Sequence, residues 1–120
     1  MIMKIIIAAI VFIIAGCSNT EKPTAASVPQ GDPVNVWNNS SYTVDLVLSD
    51  ENHSDNSQTA HNIAPGKFWD LYIKQYSDSK PTLTASCNQN HVMKFRSVSF
   101  GQNWELYPYQ GEWDLRIKSN

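Results

Sequence analysis

Residues 112–118 read EWDLRIK, and this short stretch decides the fold class. The apolar side chains of Trp113, Leu115 and Ile117 alternate strictly with charged ones. Because successive side chains of an extended strand point to opposite faces, this period of two places the three apolar groups on one face and the charges on the other. The stretch therefore predicts a half-buried β-strand.

The same period, interrupted by turn residues, extends through much of the chain before it. Further strands are predicted at residues 34–37, 42–49, 68–74, 81–87, 91–100 and 104–107, with a short one ending at residue 64. The alternation slips within residues 91–100, which predicts a β-bulge. The polar stretch DENHSDNSQT, residues 50–59, predicts a loop, and Pro65-Gly66 predicts a turn.

These segments amount to seven or eight short strands, with turn signals about every ten residues. No window of useful length in residues 34–120 has a helical period. The sequence therefore predicts an all-β fold, a small antiparallel β-sandwich over residues 34–120, with a β-barrel as the second possibility. A chain of 120 residues has room for one such domain.

The N-terminal residues have a different composition. Lys4 precedes the unbroken apolar run IIIAAIVFII, residues 5–14. As a helix this run would span roughly 15 Å, about half the hydrocarbon core of a bilayer. It is too short for a transmembrane helix and suits the apolar region of a signal peptide. A buried helix of a globular domain is the alternative, and the preceding lysine and the small residues that follow disfavour it.

The run ends at Ile14-Ala15-Gly16-Cys17, which resembles the lipobox of bacterial lipoproteins. The resemblance covers residues 1–18, with Ile14 where Leu is commoner. It implies cleavage between Gly16 and Cys17, so that residues 1–16 are a signal peptide. It also implies a covalent lipid on the thiol of Cys17, with acylation of the new amino group, and hence a membrane anchor. In that family a residue other than Asp after the cysteine implies the outer membrane, and here that residue is Ser18.

Residues 18–33, SNTEKPTAASVPQGDP, hold three prolines, small polar residues and almost no large apolar ones. Such a composition predicts a disordered tether with an r.m.s. span of roughly 20–24 Å. The predicted organisation is a signal peptide at 1–16, the lipidated Cys17 and its tether at 17–33, and a β-sandwich domain at 34–120.

Charge and motifs exclude several classes of function. The formal net charge is −2, and the lysines and arginines are scattered, so nothing suits nucleic acid. The sequence contains no G-x-S-x-G, no H-E-x-x-H and no glycine-rich phosphate loop. A domain this small has little room for both a core and an enclosed cleft, so we expect no enzymatic activity.

A metal site has one candidate cluster, Cys87, His91 and Met93 in the stretch CNQNHVM. Cupredoxins bind copper on a β-sandwich through Cys, His and Met, with a further His that His53 or His61 could supply. The spacing between His91 and Met93 is shorter than in that family. The alternative is that Cys87 is a buried thiol on an inward strand face.

The thiol of Cys87 has no predicted partner within the chain, because the sulfur of Cys17 is assigned to the lipid. Cys87 is therefore expected to be buried, with an intermolecular disulfide as the alternative. We expect no cofactor beyond the covalent lipid on Cys17.

The loop predicted at residues 50–56, DENHSDN, raises calcium as a second metal possibility, because calcium takes oxygen ligands from short acidic loops. The stretch lacks the glycine and the final glutamate of the hand-type loop. The expectation is a solvated acidic hairpin loop.

Aromatic residues are the remaining feature. Trp37, Trp104 and Trp113 are expected to fill the core. Tyr107-Pro108-Tyr109 is expected at an exposed turn before Gly111 and is the candidate protein-binding surface, because such side chains offer a large rigid contact area. The alternative is that the two tyrosines cover one end of the core.

Together these patterns predict a non-catalytic outer-membrane lipoprotein that faces the periplasm and binds another envelope protein. In layout it resembles the accessory lipoproteins of secretion and conjugation machines and the exclusion lipoproteins of phages and plasmids. The alternatives are a cupredoxin-like copper protein and an inhibitor of a cell-wall enzyme such as lysozyme. The known lysozyme-inhibitor lipoproteins carry a Ser-Gly-x-x-Tyr type motif and a disulfide, and this sequence has neither.

Overall fold

A computed structural model describes residues 28–87 and 89–119. These residues form eight strands and no helix: β1 Val34–Asn38, β2 Val44–Asp50, β3 His53–Ile63, β4 Phe68–Leu71, β5 Pro81–Cys87, β6 Val92–Ser97, β7 Asn103–Tyr109 and β8 Glu112–Ile117. The predicted signal peptide, Cys17 and most of the predicted tether lie outside the described residues.

The strands form two four-stranded sheets, with the orders β8-β7-β1-β4 and β3-β2-β5-β6. Neighbouring strands are antiparallel except β1 and β7, which pair in parallel from Asn35↔Asn103 to Asn38↔Leu106. Within the described residues the sheets pack face to face and do not close into a barrel. The predicted all-β sandwich is confirmed.

The two sheets are held together by apolar side chains that are buried at every second position of their strands. In β2 and β5 every second residue is buried, as the sequence predicted. Both sheets contribute to the core, which contains the following buried residues: Val34, Val36, Val44, Leu46, Leu48, Ala60, Ile63, Leu71, Ile73, Leu83, Ala85, Cys87, Val98, Trp104, Leu106, Trp113 and Leu115. Fully burying one such aliphatic or aromatic side chain contributes about 1.5–3 kcal/mol, so this alternation supplies the main driving force for folding.

The three tryptophans predicted to be in the core divide into two groups. Trp104 and Trp113 are buried, as expected. Trp37 is only half-buried, because the buried Val36 takes the inward position next to it on β1. The expectation that Trp37 fills the core was wrong, and its ring lies on the outer face of the sheet.

The predicted loop at residues 50–59 was also wrong, since β3 occupies most of it. This strand is polar because it lies at the edge of its sheet and buries only Asn56, Ala60 and Ile63. Its pairing with β2 shifts register twice, between Val44 and Leu46 and between Ser49 and Asp50. Backbone pairing, not an apolar face, therefore specifies β3.

Two other strands differ from the prediction. β6 pairs with β5 in one continuous register, so the bulge expected within residues 91–100 is absent there. The apolar pattern slips instead because Lys94 and Arg96 occupy core-side positions of β6, and Val98, the next core-side position, is buried again. β4 ends at Leu71, although an isolated bridge at Lys74 continues the extended conformation.

The segment before β1 is part of the folded domain. The Gly31 amide donates to the Ile73 carbonyl over 2.9 Å, and the Gln75 amide donates to the Pro29 carbonyl over 2.9 Å. Gly31 is buried under Phe100, and a Cβ added there would lie 2.3 Å from the ring. The predicted boundary at residue 34 was therefore too late, because residues 29–31 pair with residues 73–75.

The strand directions show which residues lie at each of the two ends of the sandwich. At the tether end lie Gly31, Asp50 and the start of β7 at Asn103. At the opposite, far end lie Asn38 and the turn between β7 and β8. The six residue steps of β7 from Asn103 to Tyr109 correspond to about 20 Å between the two ends.

Candidate partner-binding surface

Tyr107, Pro108 and Tyr109, predicted to form a turn, lie on β7 and pair with β8 as Tyr107↔Asp114, Pro108↔Trp113 and Tyr109↔Glu112. The turn itself consists of Gln110 and Gly111, which have φ values of 51° and 81°. Two positive φ values characterise the tight turns that suit the twist of a hairpin. The turn thus lies in the C-terminal part of the segment 107–111 where it was predicted, and the tyrosines belong to the strand before it.

Pro108 is compatible with this strand because β1 is too short to reach it. β1 ends at Asn38, opposite Leu106. The Lys118 amide donates to the Asn103 carbonyl over 2.8 Å, so the alternation along β7 turns the backbone of Pro108 toward the side of β1. A missing N–H costs nothing at a place where no neighbouring strand accepts it.

The two tyrosines form a fixed cluster with a cation. The rings of Tyr107 and Tyr109 meet edge to face with centroids 5.9 Å apart. The guanidinium of Arg116 lies 3.9 Å above the Tyr107 ring. Arg116 also donates from Nε to Glu105 Oε2 over 2.8 Å, which holds its planar group over the ring. Each contact removes rotamer freedom before any partner arrives.

A second aromatic pair lies on the same outer face. The rings of Trp37 and Phe68 stack with centroids 4.7 Å apart, and the Lys118 ammonium lies 5.5 Å from the Trp37 ring centroid. The register places Trp37 between Phe68 on β4 and Glu105 on β7. We call the outward side chains of Trp37, Phe68, Tyr107, Tyr109, Arg116 and Lys118 the aromatic face.

Glu105 lies between the two pairs and connects them. Its other oxygen, Oε1, accepts a hydrogen bond of 2.8 Å from Asn39 Nδ2. The hydrogen bond from Arg116 lowers the pKa of Glu105 below its ordinary value, although burial acts in the opposite direction. The carboxylate is therefore ionised at neutral pH and keeps Arg116 in place.

The candidate copper ligands are not brought together. Cys87 is buried, as predicted, and pairs with Val92. Met93 pairs with Ser86 and points to the outer face of the same sheet, where it is 64% exposed. His91 is exposed in the turn before β6. Adjacent strand residues point to opposite faces, so the sulfur atoms of Cys87 and Met93 lie on opposite sides of the sheet.

The two histidines named as possible fourth ligands have other contacts. His53 stacks on Tyr76 with centroids 3.8 Å apart, and its Nε2 lies 2.8 Å from Asp78 Oδ1. His61 Nδ1 lies 3.6 Å from Asp45 Oδ2. Among residues 28–87 and 89–119, no three His, Cys, Asp or Glu side chains are grouped closely enough to hold a metal ion.

The acidic stretch considered for calcium is built around Asp50, which is buried. Its four accepted hydrogen bonds come from the Lys80 amide at 2.9 Å, Ser79 Oγ at 2.7 Å, the Asn52 amide at 3.1 Å and Asn56 Nδ2 at 3.1 Å. Burial acts to raise the pKa of Asp50, but these hydrogen bonds outweigh it and lower the pKa from 3.8 to about 2. The oxygens of Asp50 thus join parts of the fold, and Glu51 lies 3.9 Å from Lys80 Nζ.

A crevice of about 480 Å³ lies at the tether end, away from the aromatic face. Its walls include Glu51, Lys80 and the apolar side chains of Val98 and Phe100. The crevice was not predicted, because it forms where segments far apart in sequence meet.

The Trp37–Phe68 half of the aromatic face was also missed. The signal in the sequence was the alternation along β1, in which Val34 and Val36 occupy the buried positions, so that Trp37 lies on the outer face. In that alternation Trp37 belongs with the tyrosines as a surface residue.

No protein-family model, curated protein or solved structure matches this chain. In the part of the chain that the structure describes, no helix is long and apolar enough to cross a membrane.

Proposed function

We propose that the chain is a non-catalytic outer-membrane lipoprotein, anchored through acyl chains on Cys17, whose β-sandwich faces the periplasm and binds another envelope protein. The partner-binding surface is the aromatic face. The role is that of an accessory lipoprotein in a secretion or conjugation assembly, or of an exclusion lipoprotein.

The observation that carries the proposal is the exposure of stacked aromatic rings on one sheet face. Phe68 is 48% exposed and Tyr109 is 45% exposed, although each contacts another ring of the face. Tyrosine, tryptophan and arginine are the residues that most often dominate the energy of protein interfaces. Their rigid placement here lowers the entropy lost on binding, which favours a tight complex.

The position of the face suits a membrane-anchored binder. The chain enters the domain at the tether end, where residues 29–31 pair with residues 73–75. Tyr107 and Tyr109 lie at the far end of β7. The tyrosines thus lie at the end of the domain opposite the point where an anchored chain would enter, so a second protein can approach them from the side away from the tether.

Lipidation is tested by metabolic labelling with an alkyne fatty acid. The wild-type chain should be labelled, and Cys17→Ser should lose the label and the membrane association. Equal labelling of the two chains would contradict the proposed anchor.

Binding is tested by pull-down of the acylated chain from its own envelope. The double variant Tyr107→Ser, Tyr109→Ser should lose the captured partner, because truncated interface anchors commonly cost about 2 kcal/mol or more, which is roughly 30-fold in affinity. Tyr72→Ser is the matched control, since Tyr72 is exposed and lies outside the aromatic face.

The same variants separate an interface from a cover over the core. As interface residues, the tyrosines should leave the melting temperature nearly unchanged when replaced. If they cover the core, their replacement should lower the free energy of unfolding, and each loss of about 1 kcal/mol should lower the melting temperature by roughly 4–8 °C. A destabilised double variant that still retains the partner would refute the proposed interface.

A further inference from the structure

The open edge of β6 offers backbone groups to a further strand. Among the described strands β6 pairs only with β5. The Val98 amide donates to the Pro81 carbonyl over 3.1 Å, and antiparallel alternation then turns the backbone of Lys94 and Arg96 toward β5. The N–H and C=O groups of Met93, Phe95 and Ser97 consequently point to the open edge.

This edge is little protected within the described residues. The hydrogen bond found there runs from Arg96 Nη1 to the Phe95 carbonyl, over 2.8 Å. Met93 and Phe95 are 64% and 65% exposed on the outer face, more than any other large hydrophobic side chain that the structure describes. A free strand edge beside such side chains is a template for pairing.

The opposite, core-side face of β6 is positively charged. Lys94 and Arg96 share this face with Val92, and all three are half-buried. Arg96 Nη2 donates to Asp114 Oδ1 on β8 over 2.6 Å. For Lys94, no carboxylate of the described residues lies within 4.0 Å of its ammonium. A strand added at this edge would place every second side chain beside these two cations.

A second copy of this chain, paired two-fold about the exposed centre of the β6 edge, does not fit that charge pattern. In a two-fold antiparallel pairing of β6 centred on Phe95, each Lys94 would lie opposite Arg96 of the other copy. Like charges placed directly opposite one another destabilise a strand pair.

We propose that β6 is a strand-addition site for an extended segment of another protein in which acidic residues alternate with apolar ones. Its acidic side chains lie beside Lys94 and Arg96, and its apolar side chains lie beside Met93 and Phe95. Main-chain hydrogen bonds supply affinity, and the alternation supplies specificity, as in other cases of strand addition. The site is separate from the aromatic face and does not depend on it.

The test uses the full chain in detergent micelles and two synthetic peptides, acetyl-TVEVEVT-amide and acetyl-TVKVKVT-amide. Fluorescence anisotropy measures binding, and hydrogen exchange followed by NMR reports which amides become protected. The acidic peptide should bind and slow exchange at Met93, Phe95 and Ser97, and the basic peptide should not bind.

Three variants identify the groups responsible. Phe95→Pro removes an N–H that points to the open edge and leaves the β5–β6 ladder intact, so it should weaken binding about tenfold or more. Phe95→Val keeps that N–H and should weaken binding less. Lys94→Glu should shift the preference toward the basic peptide.

Several results would overturn the proposal. These are equal affinity for both peptides, absence of binding by either at millimolar concentration, and protection at the edge of β3 instead of β6. Concentration-dependent protection of the same amides without peptide would identify a second copy as the occupant and would also overturn it.

Discussion

Asp50 and Asn38 close opposite ends of the sandwich with buried side chains of nearly the same shape and different charge. At the tether end, the Asp50 carboxylate only accepts, and it receives hydrogen bonds from the turn at Asn52, from Asn56 on β3 and from Ser79 and Lys80 before β5. One side chain thereby joins the turn after β2 and the following strand β3 to the segment before β5, which lies 29 and 30 residues further along the chain.

At the far end, the side-chain amide of Asn38 both donates and accepts hydrogen bonds. Its Nδ2 donates to the carbonyls of Tyr42 and Ile63 over 2.7 and 2.9 Å. Its Oδ1 accepts from the hydroxyl and the amide of Ser40 over 2.6 and 3.1 Å. Asn38 is fully buried, so each of these bonds replaces one to water.

The difference follows from what the loops at each end present. Segments that turn N–H and O–H groups inward are joined best by a charged acceptor, because hydrogen bonds to an ionised group are about twice as strong as neutral ones. Segments that present carbonyls need a donor, which a carboxylate cannot supply. The charged hub is stronger, but Asp50 titrates and makes the tether end sensitive to pH, whereas the side chain of Asn38 has no group that titrates.

The largest effect is expected for Asp50→Ala. The donors that now meet the carboxylate would be left without an acceptor, and we expect a loss of about 3–5 kcal/mol in the free energy of unfolding, measured with urea. Asp55→Ala, at an exposed position of β3, should change stability by less than about 0.5 kcal/mol. A loss below about 1 kcal/mol for Asp50→Ala would show that water replaces the carboxylate.

Asn38→Ala should lower the free energy of unfolding somewhat less, by about 2–3 kcal/mol, because the hydrogen bonds that it removes join neutral groups. Asn103→Ala, at an exposed position of β7, is the matched control and should be nearly neutral. If Asn38→Ala cost more than Asp50→Ala, the ranking of the two hubs would be wrong.

The pH dependence separates the two ends. The folded-state pKa of Asp50 lies at about 2, below its ordinary 3.8, so the ionised carboxylate stabilises the fold above pH 3.8. That contribution, about 2 kcal/mol, should disappear as the pH falls through about 2. Urea unfolding at a series of pH values should show this slope in the wild type and in Asn38→Ala. Its persistence in Asp50→Asn would assign it to another carboxyl group.

The smallest effect is expected at Cys87, which lies at the far end of β5. Cys87→Ala removes one buried sulfur atom from the core and should cost about 1 kcal/mol. The thiol should resist thiol reagents until denaturant is added. Rapid modification in native buffer would mean that this end of the sandwich opens far more readily than its packing indicates.

The sequence predicted the strands that have one apolar face. β5 was predicted with its observed bounds, and β2 and β8 were predicted with the observed phase, although Ile117 at the end of β8 is exposed. In these strands the side chains alone determine which face is buried, because the free energy gained by burying the apolar side chains outweighs the other local contributions to stability. Local pattern therefore sufficed for the sandwich.

The predictions that were wrong concern features that depend on neighbouring strands. β3 looks like a loop because an edge strand can be specified by backbone pairing and by side chains such as Asn56, which binds both the amide and the carbonyl of Lys74. Pro108 looks like a turn residue because the early end of β1, which makes room for it, is not visible in the sequence around Pro108. Such contacts join residues far apart along the chain, so no local window contains them.

The parallel pairing of β1 and β7 has a mechanical consequence. The chain enters β1 at the tether end, and the tyrosines are attached to β7 at the far end. Tension between the N-terminal segment and a protein held by the tyrosines would pull these two neighbouring strands along their own axes in opposite directions. In that shear geometry the hydrogen bonds between Asn35–Asn38 and Asn103–Leu106 share the force and must break together, whereas a peeling force would break them one at a time. The pairing of β1 and β7 is thus arranged to resist a force applied between the N-terminal segment and the far end of β7.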